Sequence, residues 1–296
     1  MTDPQLAEVI AERRQLINLA YRLLGSLAEA EDVVQETFAR WYGLSERQRA
    51  EVAAPGAWLT TVASRICLDV LGSARARRER YVGDWIPEPV PGRSEWRGRP
   101  GAADPADQVT LDESISMAFL VVLDSMTPAE RVAFVLHDVF RYSFAEVAEV
   151  VGRSPAACRQ LASSARRRID TSRRPSGAER AEVVRDFKRA WEASDIEALI
   201  GLLDPQATAI ADSGGRVVAF REPIIGGEQI ARAWMEIAAR GGAVTLVERT
   251  VNGQPGLVAE REGTVISVYA FDIVDGRITR IWVIRNPDKL RPWTAG

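Results

Sequence analysis

The sequence predicts a multidomain protein in which two all-α segments are followed by an α+β domain. Apolar residues recur at helical spacing over residues 6–80 and again over 111–169. Beyond residue 179 the pattern changes to two helices and then to alternating runs such as TVISVYAFDI, which are typical of strands. We therefore expect domains at 1–80, 111–170 and 179–296, joined by linkers at 81–110 and 171–178.

The first all-α segment contains two apolar stripes, Ala30–Trp41 and Leu59–Val70. Pro55 precedes the second stripe and suits the first turn of a helix. The stretch from Asp84 to Gln108 holds five prolines and three glycines, so no helix is expected there. This stretch is the first predicted joint.

Dipeptides that favour tight turns punctuate the last domain. They are Gly214-Gly215, Asn252-Gly253 and Asp275-Gly276. Because such pairs accept positive φ, they are hairpin signals. We therefore expect an antiparallel sheet after the two helices.

Charge is segregated along the chain, although the formal net charge is only −3. Seven arginines and a single acid lie between Arg153 and Arg174, whereas Glu29 to Glu36 holds four acids and no base. Segregation of this kind favours partners of opposite sign.

Cys67 and Cys158 each lie alone in an apolar helical pattern. This predicts buried free thiols in a reducing compartment rather than a disulfide framework. The sequence has no recognisable signal peptide and no run of eighteen apolar residues. We expect a soluble cytoplasmic protein with no membrane partner.

A helix-turn-helix is predicted at the end of the second all-α segment. The short helix SFAEVAEVVG ends at Gly152, after which Ser154 is a natural N-cap and Pro155 a natural first helical residue. The second helix of this motif enters the major groove of DNA. Its outward side chains are candidate DNA contacts: Arg159, Gln160, Ser163, Ser164, Arg166 and Arg167. An ordinary helical hairpin with a solvated basic end is the alternative.

Two further surfaces belong to the first segment. An acidic face carries Glu29, Asp32, Gln35 and Glu36 at helical spacing; it would repel phosphates and is either a protein-binding face or simply solvated. The second stripe ends in SARARRERY, with four arginines, and its outward side offers Thr60, Thr61, Ser64 and Arg65. We expect this side to be a second nucleic-acid surface, separated from the first by the flexible joint.

The helical segments resemble a known family. AYRLLGSLAEAEDVVQETFARWY and PGAWLTTVASRICLDVLGSARARRERY resemble domain two of bacterial extracytoplasmic-function sigma factors, and LDSMTPAERVAFVLHDVFRYSFAEVAEVVGRSPAACRQLASSARRRI resembles domain four. The resemblance covers most of residues 6–170. It implies a promoter-specificity subunit whose partners are core RNA polymerase and promoter DNA.

The resemblance also implies roles for individual residues. The segment matching DVVQETFARW would bind the clamp of the polymerase largest subunit through Asp32, Gln35 and Glu36. The promoter-melting helix, which reads the minus-ten element, would include Arg65 and Asp69, with Arg75, Arg77 and Arg78 at its basic end. The recognition helix for the minus-thirty-five element would include Ser154, Arg159 and Arg166.

Residues 179–296 resemble a SnoaL-like domain, the cone-shaped fold of ketosteroid isomerases and polyketide cyclases, which extends one sigma-factor subgroup. Three motifs carry this resemblance: YVGDWIPEP in the joint, DSGGRV, and NPDKL near the end. In that subgroup the extension regulates the sigma domains. The implied regulatory residues are Tyr81, Trp85, Ile86, Pro87, Asp212, Gly214, Gly215, Arg216, Asn286, Pro287, Asp288, Lys289 and Leu290. We expect Trp85 and Ile86 to pack on the cone domain, because a proline-rich joint cannot fold alone.

An enzyme is not expected. Asp212 or Asp272 could serve as a general base in a cone-domain pocket, but the single histidine, His137, lies in the helical block and suits an ordinary helix position. We expect no catalytic residue, no cofactor and no metal, although the pocket could hold a small-molecule ligand. The alternative function is a ligand-sensing dimeric repressor, which would bind palindromic DNA alone and would need no acidic face.

Overall fold

The computed structural model describes residues 4–78, 81–92, 115–169, 176–220, 222–240 and 244–294. Contacts divide the chain into two compact units. Among the described residues, the first unit contains 4–78 and 120–169, and the second contains 81–92, 115–119 and those from 176 onward. Residues 93–110 and 171–175 of the predicted linkers lie outside the described part of the chain.

The first half of the first unit consists of α1 (Pro4–Leu24), α2 (Leu27–Gly43), α3 (Glu46–Glu51) and α4 (Pro55–Arg78). Helices α1, α2 and α4 pack against one another. Both predicted stripes face this core, since Val34 on α2 and Leu59 on α4 are fully buried. Cys67 is also buried there as a free thiol, and burial raises its pKa.

The second half contains α5 (Met117–Asp124), which crosses the boundary between the units, α6 (Pro128–Phe134), α7 (Phe144–Val151) and α8 (Pro155–Arg166). A π-helical turn, Val135–Val139, continues α6. It contains His137, whose Nδ1 lies 2.8 Å from the carbonyl oxygen of Tyr142, so the prediction of an ordinary helix residue with a backbone partner is confirmed.

The two halves of the first unit are in direct contact. Helix α4 packs on α6 and α7. The buried guanidinium of Arg131 on α6 donates to the carbonyl of Leu23 at 2.9 Å and to Asp124 at 2.7 Å. Burial lowers the pKa of Arg131 to about 10. The two helical halves are therefore in contact in this structure, although the predicted joint lies between them in sequence.

The second unit begins with α9 (Gly177–Glu192) and α10 (Ile196–Leu202), and continues through β1 (Leu203–Asp212), β2 (Ile224–Ile225) and α11 (Gly227–Arg240). The strands β3 (Thr245–Val251), β4 (Gln254–Arg261), β5 (Thr264–Val274) and β6 (Arg277–Ile284) follow, and a short α12 (Arg291–Thr294) closes the described chain. The sequence reading missed α11, whose pattern it did not separate from the strands.

The six strands form one sheet in the order β2-β1-β6-β5-β4-β3. The expected antiparallel sheet is in fact mixed, because β1 and β6 pair in parallel. This pairing arises because the chain leaves β1, forms the rest of the sheet, and returns as β6 beside β1. The core between sheet and helices is aromatic: Phe187 and Trp191 of α9, Trp234 of α11 and Tyr269 of β5 meet largely edge to face.

Turn chemistry fixes the register of the last four strands. Asn252-Gly253 and Asp275-Gly276 join successive strands with positive φ at both residues, as their sequences predicted. Glu262-Gly263 forms a third such turn that the sequence reading did not name. Gly214-Gly215 has positive φ as well, but it lies in the longer loop between β1 and β2 rather than in a tight hairpin.

Candidate functional site

The turn between α7 and α8 has the expected helix-turn-helix chemistry. Gly152 ends α7 in the left-handed conformation, with φ 69°. Ser154 caps α8 by accepting a hydrogen bond from the Ala157 amide at 3.2 Å, and Pro155 is the first helical residue. Cys158 lies on the buried face of α8 as a free thiol. The local sequence thus determines both the turn and which face of α8 points outward.

The predicted DNA-contacting side chains of α8 are exposed or half-buried, and some have partners within the unit. Arg166 forms a bidentate pair with Asp138, at 2.6 and 3.0 Å. The guanidinium of Arg159 lies 5.2 Å from the centroid of the Phe144 ring. Arg167 and Gln160 are exposed, and their side chains form no hydrogen bond or ion pair within the described residues. Ser163 is half-buried.

The acidic face of α2 is exposed. Asp32 and Gln35 project into solvent. Glu36 pairs with Arg40 one turn later, at 2.8 Å, in a surface ion pair. Such pairs are weak and do not prevent either side chain from binding a partner.

The side chains that α4 exposes differ from those that the sequence predicted. Thr60 and Ser64 were expected on its outward side, but both are buried, with 2% and 0% exposure. Helix α4 packs on α1, α2, α6 and α7, so little of its surface faces solvent. Arg65 is exposed but donates to the carbonyl of Glu149 on α7 at 2.8 Å. Asp69 remains exposed.

The structure does not describe the side chains of three predicted residues at the basic end of α4. They are Arg75, Arg77 and Arg78. Their backbone continues α4, which ends at Arg78.

The second unit brings the three distant motifs together around one carboxylate. Asp212, at the end of β1, is fully buried. Its Oδ1 accepts hydrogen bonds from the Tyr81 hydroxyl at 2.6 Å and from the Gly214 amide at 3.1 Å. Its Oδ2 accepts from the Ile86 amide at 3.0 Å and from the Lys289 ammonium at 2.7 Å. We call Tyr81, Ile86, Asp212, Asn286 and Lys289 the Asp212 site.

The remaining members of the site complete its hydrogen bonding. Asn286 donates to the Tyr81 hydroxyl at 2.7 Å. Lys289 also donates to the Ile86 carbonyl, and its ammonium lies 4.2 Å from the centroid of the Trp85 ring. Burial, together with the neighbouring Asp212, raises the pKa of Tyr81. Tyr81 therefore remains a neutral hydrogen-bond donor.

Most of residues 81–92 is held against the α+β domain, and positions 86–92 are buried. Ile86 is 2% exposed, and Pro87 is buried beside it, so the expected packing of Ile86 is present, while Trp85 is half-buried. Further along, the Trp293 indole donates to the Pro89 carbonyl at 2.9 Å. The segment is not a free tether.

The end of this segment pairs with the edge strand β3. Pro91 forms a bridge with Val251, and the Gly92 amide donates to the Thr250 carbonyl at 3.0 Å. Asn252 exchanges hydrogen bonds with Val90 through its amide and its side chain. The linker thus covers the exposed edge of the sheet. Sequence reasoning named Asn252 only as a turn residue and missed this second role.

The other predicted regulatory residues surround the Asp212 site. Gly214 contacts Asn286 so closely that an added Cβ would lie 2.5 Å from its side-chain nitrogen. Arg216 forms an ion pair with Asp288 at 2.9 Å. Gly215 lies against Val82. Leu290 is buried, whereas Pro287 is exposed.

This arrangement leaves Asp212 with no oxygen for proton abstraction, since both are occupied by donors. Asp272 is half-buried on β5.

No group of three or more metal-ligating side chains occurs among the described residues. Within the same residues, no helix is long and apolar enough to cross a membrane.

Known proteins resemble this chain in its two helical segments and over nearly its whole length. The Sigma-70 region 2 family matches residues 9–78, and the Sigma-70, region 4 family matches 116–169. The ECF RNA polymerase sigma factor SigJ of Mycobacterium tuberculosis is 38% identical, over 96% of this chain and 93% of its own. The chain belongs to the ECF RNA polymerase sigma factors.

Other relatives extend over the full length of this sigma factor. The probable ECF RNA polymerase sigma factor SigI of Mycobacterium tuberculosis is 36% identical over 99% of this chain and 97% of its own. The crystal structure of the extracytoplasmic function sigma factor SigJ matches with a TM-score of 0.77 and 36% identity, covering 97% of this chain and 98% of that one.

Membership of this family assigns the function. This sigma factor directs RNA polymerase to promoters for transcription initiation. Region 2 comprises α1 to α4, and region 4 comprises the helices that include the helix-turn-helix. The α+β domain carries the SnoaL-like extension that the motifs predicted. The alternative of a dimeric repressor does not account for the region 2 match.

Proposed function

We propose that this sigma factor controls its own promoter recognition through the attachment of residues 81–92 to the α+β domain. The observation that carries the proposal is the burial of Asp212 beneath four donors, two of which belong to the linker. A segment that connects regions 2 and 4 in sequence is held by a third domain. Its attachment therefore limits the conformations available to the regions that it joins.

At the residue level we infer the following contacts in the cytoplasm. Asp32, Gln35 and Glu36 bind the clamp of the polymerase largest subunit. Arg65, Asp69, Arg75, Arg77 and Arg78 act at the minus-ten element. Ser154, Arg159, Gln160, Ser163, Arg166 and Arg167 act at the minus-thirty-five element, as base contacts or phosphate contacts.

We infer that promoter binding requires regions 2 and 4 to separate. The minus-ten and minus-thirty-five elements are named for positions about 25 base pairs apart, which is on the order of 85 Å at about 3.4 Å per step. Helix α4 packs directly on α7 of region 4, and Arg65 donates to Glu149 there. The two regions in contact cannot reach both elements together.

The contact between the regions is suited to opening. The hydroxyl oxygens of Thr60 and Ser64 on α4 are buried without a hydrogen-bond partner in the described residues, and Thr60 faces region 4. Each buried hydroxyl of this kind costs about 1–3 kcal/mol. A cavity of about 350 Å³ also lies beside Arg65, between α4 and the region 4 helices. The contact is thus imperfect, and polymerase binding can replace it.

Opening is tested by fluorescence energy transfer in the full-length chain. Arg47→Cys on α3 and Ala145→Cys on α7 place labels on exposed positions of the two regions, while Cys67 and Cys158 are buried. Core polymerase is expected to decrease the transfer efficiency strongly. The control is a pair of labels within region 2, at Arg47→Cys and Arg14→Cys, two exposed positions outside the proposed polymerase contact, whose transfer should not change. Unchanged transfer in the first pair would contradict the opening.

Regulation by the α+β domain is tested by transcription from a cognate promoter with purified core polymerase. Deletion of residues 179–296 releases the linker and is expected to raise the transcript yield if the domain only inhibits. Removal of 286–296 alone deletes Asn286 and Lys289 from the Asp212 site. A rise for this shorter deletion would mean that the tail acts only through the linker, whereas a fall would make the tail an activating contact. Unchanged yield for both deletions would contradict regulation by this domain.

A further inference from the structure

The α+β domain contains a cavity of about 740 Å³, partly open to solvent, on the side of the sheet that α11 covers. Its wall is mostly apolar, and four aromatic side chains dominate it: Trp191, Phe220, Trp234 and Tyr269. Its volume and its lining are those of pockets that bury small organic molecules. The residues of the Asp212 site do not line it, so the cavity and the Asp212 site are separate features.

The polar groups of the cavity wall are mainly hydrogen-bond donors. Trp234 is fully buried, and its indole N–H has no acceptor among the described residues. The Nε of Arg285 is likewise buried without an acceptor. The carboxylates of Glu192 and Glu236 also line the cavity, on residues that are exposed. Two unsatisfied donors in one apolar wall mean that an acceptor is missing there.

We propose that this cavity binds an aromatic or polycyclic small molecule whose carbonyl or carboxylate oxygen accepts hydrogen bonds from Trp234 and Arg285. The aromatic wall provides apolar contact for the ring system. The acceptor oxygen satisfies the donors that the protein leaves unpaired. A ligand that lacks this oxygen gains the apolar contact alone.

Arg285 connects the cavity to the Asp212 site. Its side chain lines the cavity and donates to the carbonyl of Val218, in the loop after β1. Its own amide and that of Asn286 both donate to the Asp212 carbonyl, at 2.7 and 2.9 Å. The side chain of Arg285 therefore lines the cavity, and that of the next residue, Asn286, bonds to Tyr81 of the linker.

Ligand binding is expected to loosen the linker. An acceptor oxygen that binds the Nε of Arg285 draws the guanidinium away from the Val218 carbonyl, which accepts from Nη1 of the same group. Loss of that bond frees the loop that holds Gly214 against Asn286 and Gly215 against Val82. This step rests on the proposed function, because it makes the attachment of residues 81–92 depend on a bound ligand.

Binding is tested on the full-length chain by calorimetry with three probes. They are 2-acetonaphthone, which has a neutral carbonyl, 2-naphthoate, which has a carboxylate, and 2-ethylnaphthalene, which matches the ketone in shape but has no acceptor. We expect one site per chain and binding of the ketone or the carboxylate about tenfold tighter than that of the hydrocarbon, since an unmet buried donor is costly. Trp234→Phe should reduce this preference. Equal affinity for all three probes, or no binding up to their solubility limits, would overturn the proposal.

The site is located with a variant that fills the cavity. Ala259→Phe inserts a ring from the buried face of β4 and is expected to abolish binding of the probes. Ala233→Phe, which fills the cavity from α11, provides a second test if the first variant does not fold. Ala198→Phe on the exposed face of α10 is the matched control and should bind as the wild type does. Binding that survives in both folded cavity variants would place the site elsewhere.

Coupling is tested by linkage. If a probe loosens residues 81–92, it should raise the hydrogen exchange of the Ile86 and Val90 amides. Tyr81→Phe weakens the same attachment and should therefore raise the affinity for that probe. Probe affinity unaffected by Tyr81→Phe would overturn the coupling. The two proposals fail separately: loss of probe binding with intact regulation by the deletions removes only the cavity site, and probe binding without any transcriptional effect of the deletions removes only the regulation.

Discussion

The ammonium group of Lys289 lies 2.7 Å from a carboxylate oxygen of Asp212, inside the second unit of the protein. Asp212 is fully buried and Lys289 is 8% exposed. The remaining bonds of this pair come largely from the linker, through the amide and carbonyl of Ile86. A buried ion pair is tolerated only when its other hydrogen-bonding groups are satisfied. The linker is therefore part of what keeps this pair stable.

Lys289→Met is expected to destabilise the second unit by about 3–5 kcal/mol, because it leaves the buried Asp212 carboxylate without its cation. The free energy of unfolding is measured by chemical denaturation followed by tryptophan fluorescence. The double variant Lys289→Met/Asp212→Asn removes both charges and should recover part of the loss. If Lys289→Met lowers the free energy of unfolding no more than a surface substitution does, the pair does not contribute to stability.

Gly214→Ala tests the close contact with Asn286. Both Gly214 and Gly276 have positive φ, 59° and 77°, so alanine costs about 1–2 kcal/mol of backbone strain at either position. Only at Gly214 does the added Cβ also collide with a side chain of the Asp212 site. We expect Gly214→Ala to be the more destabilising of the two and to raise hydrogen exchange in residues 81–92. Equal effects of the two variants would mean that the contact is unimportant.

Reversal of charge on the acidic face tests polymerase binding. Asp32→Lys/Glu36→Lys should greatly weaken the complex with core polymerase while the fold persists, because both side chains are exposed. Affinity is measured by fluorescence anisotropy of the labelled sigma factor. The matched control, Glu182→Lys/Glu197→Lys, makes the same change of charge on exposed positions of α9 and α10. If both double variants bind equally well, α2 is not the polymerase contact.

Two arginines of α8 are expected to act differently on promoter DNA. Arg159→Ala should cost roughly 1–3 kcal/mol at one upstream base pair and relax specificity there, if it forms a bidentate base contact. Arg167→Ala should weaken binding to all sequences alike and reduce the salt slope by about one. Holoenzyme affinity is measured on upstream-element variants at several salt concentrations. A uniform loss for Arg159→Ala would make it a phosphate contact.

The helix-turn-helix and the tight turns follow from local chemistry, and the sequence therefore predicts them well. Gly152, Ser154 and Pro155 define the helix-turn-helix through conformational and capping preferences that need no distant contact. The same holds for Asn252-Gly253, whose residues both have positive φ. Such features depend on neighbours in the chain.

The contacts that distinguish this chain depend on long-range packing and could not be predicted in detail. Apolar spacing gave no reason to bury Thr60 and Ser64, because their burial depends on the several helices that pack around α4. The parallel pairing of β1 with β6 likewise requires the whole path of the chain. The motifs around Asp212 were expected to interact, but which donors meet its carboxylate was visible only in the structure.

The most direct test of the account is the yield of promoter-dependent transcript with Ile86→Ala, compared with Val82→Ala and the wild type. Ile86 is buried and Val82 is 65% exposed, although both belong to the linker. Truncation of a buried isoleucine costs about 2–5 kcal/mol, which shifts the attachment of the linker by tenfold or more, since about 1.4 kcal/mol corresponds to tenfold. We predict a severalfold higher yield for Ile86→Ala and an unchanged yield for Val82→Ala. If hydrogen exchange shows the linker released in Ile86→Ala and its transcript yield still equals that of the wild type, attachment of the linker does not control this sigma factor.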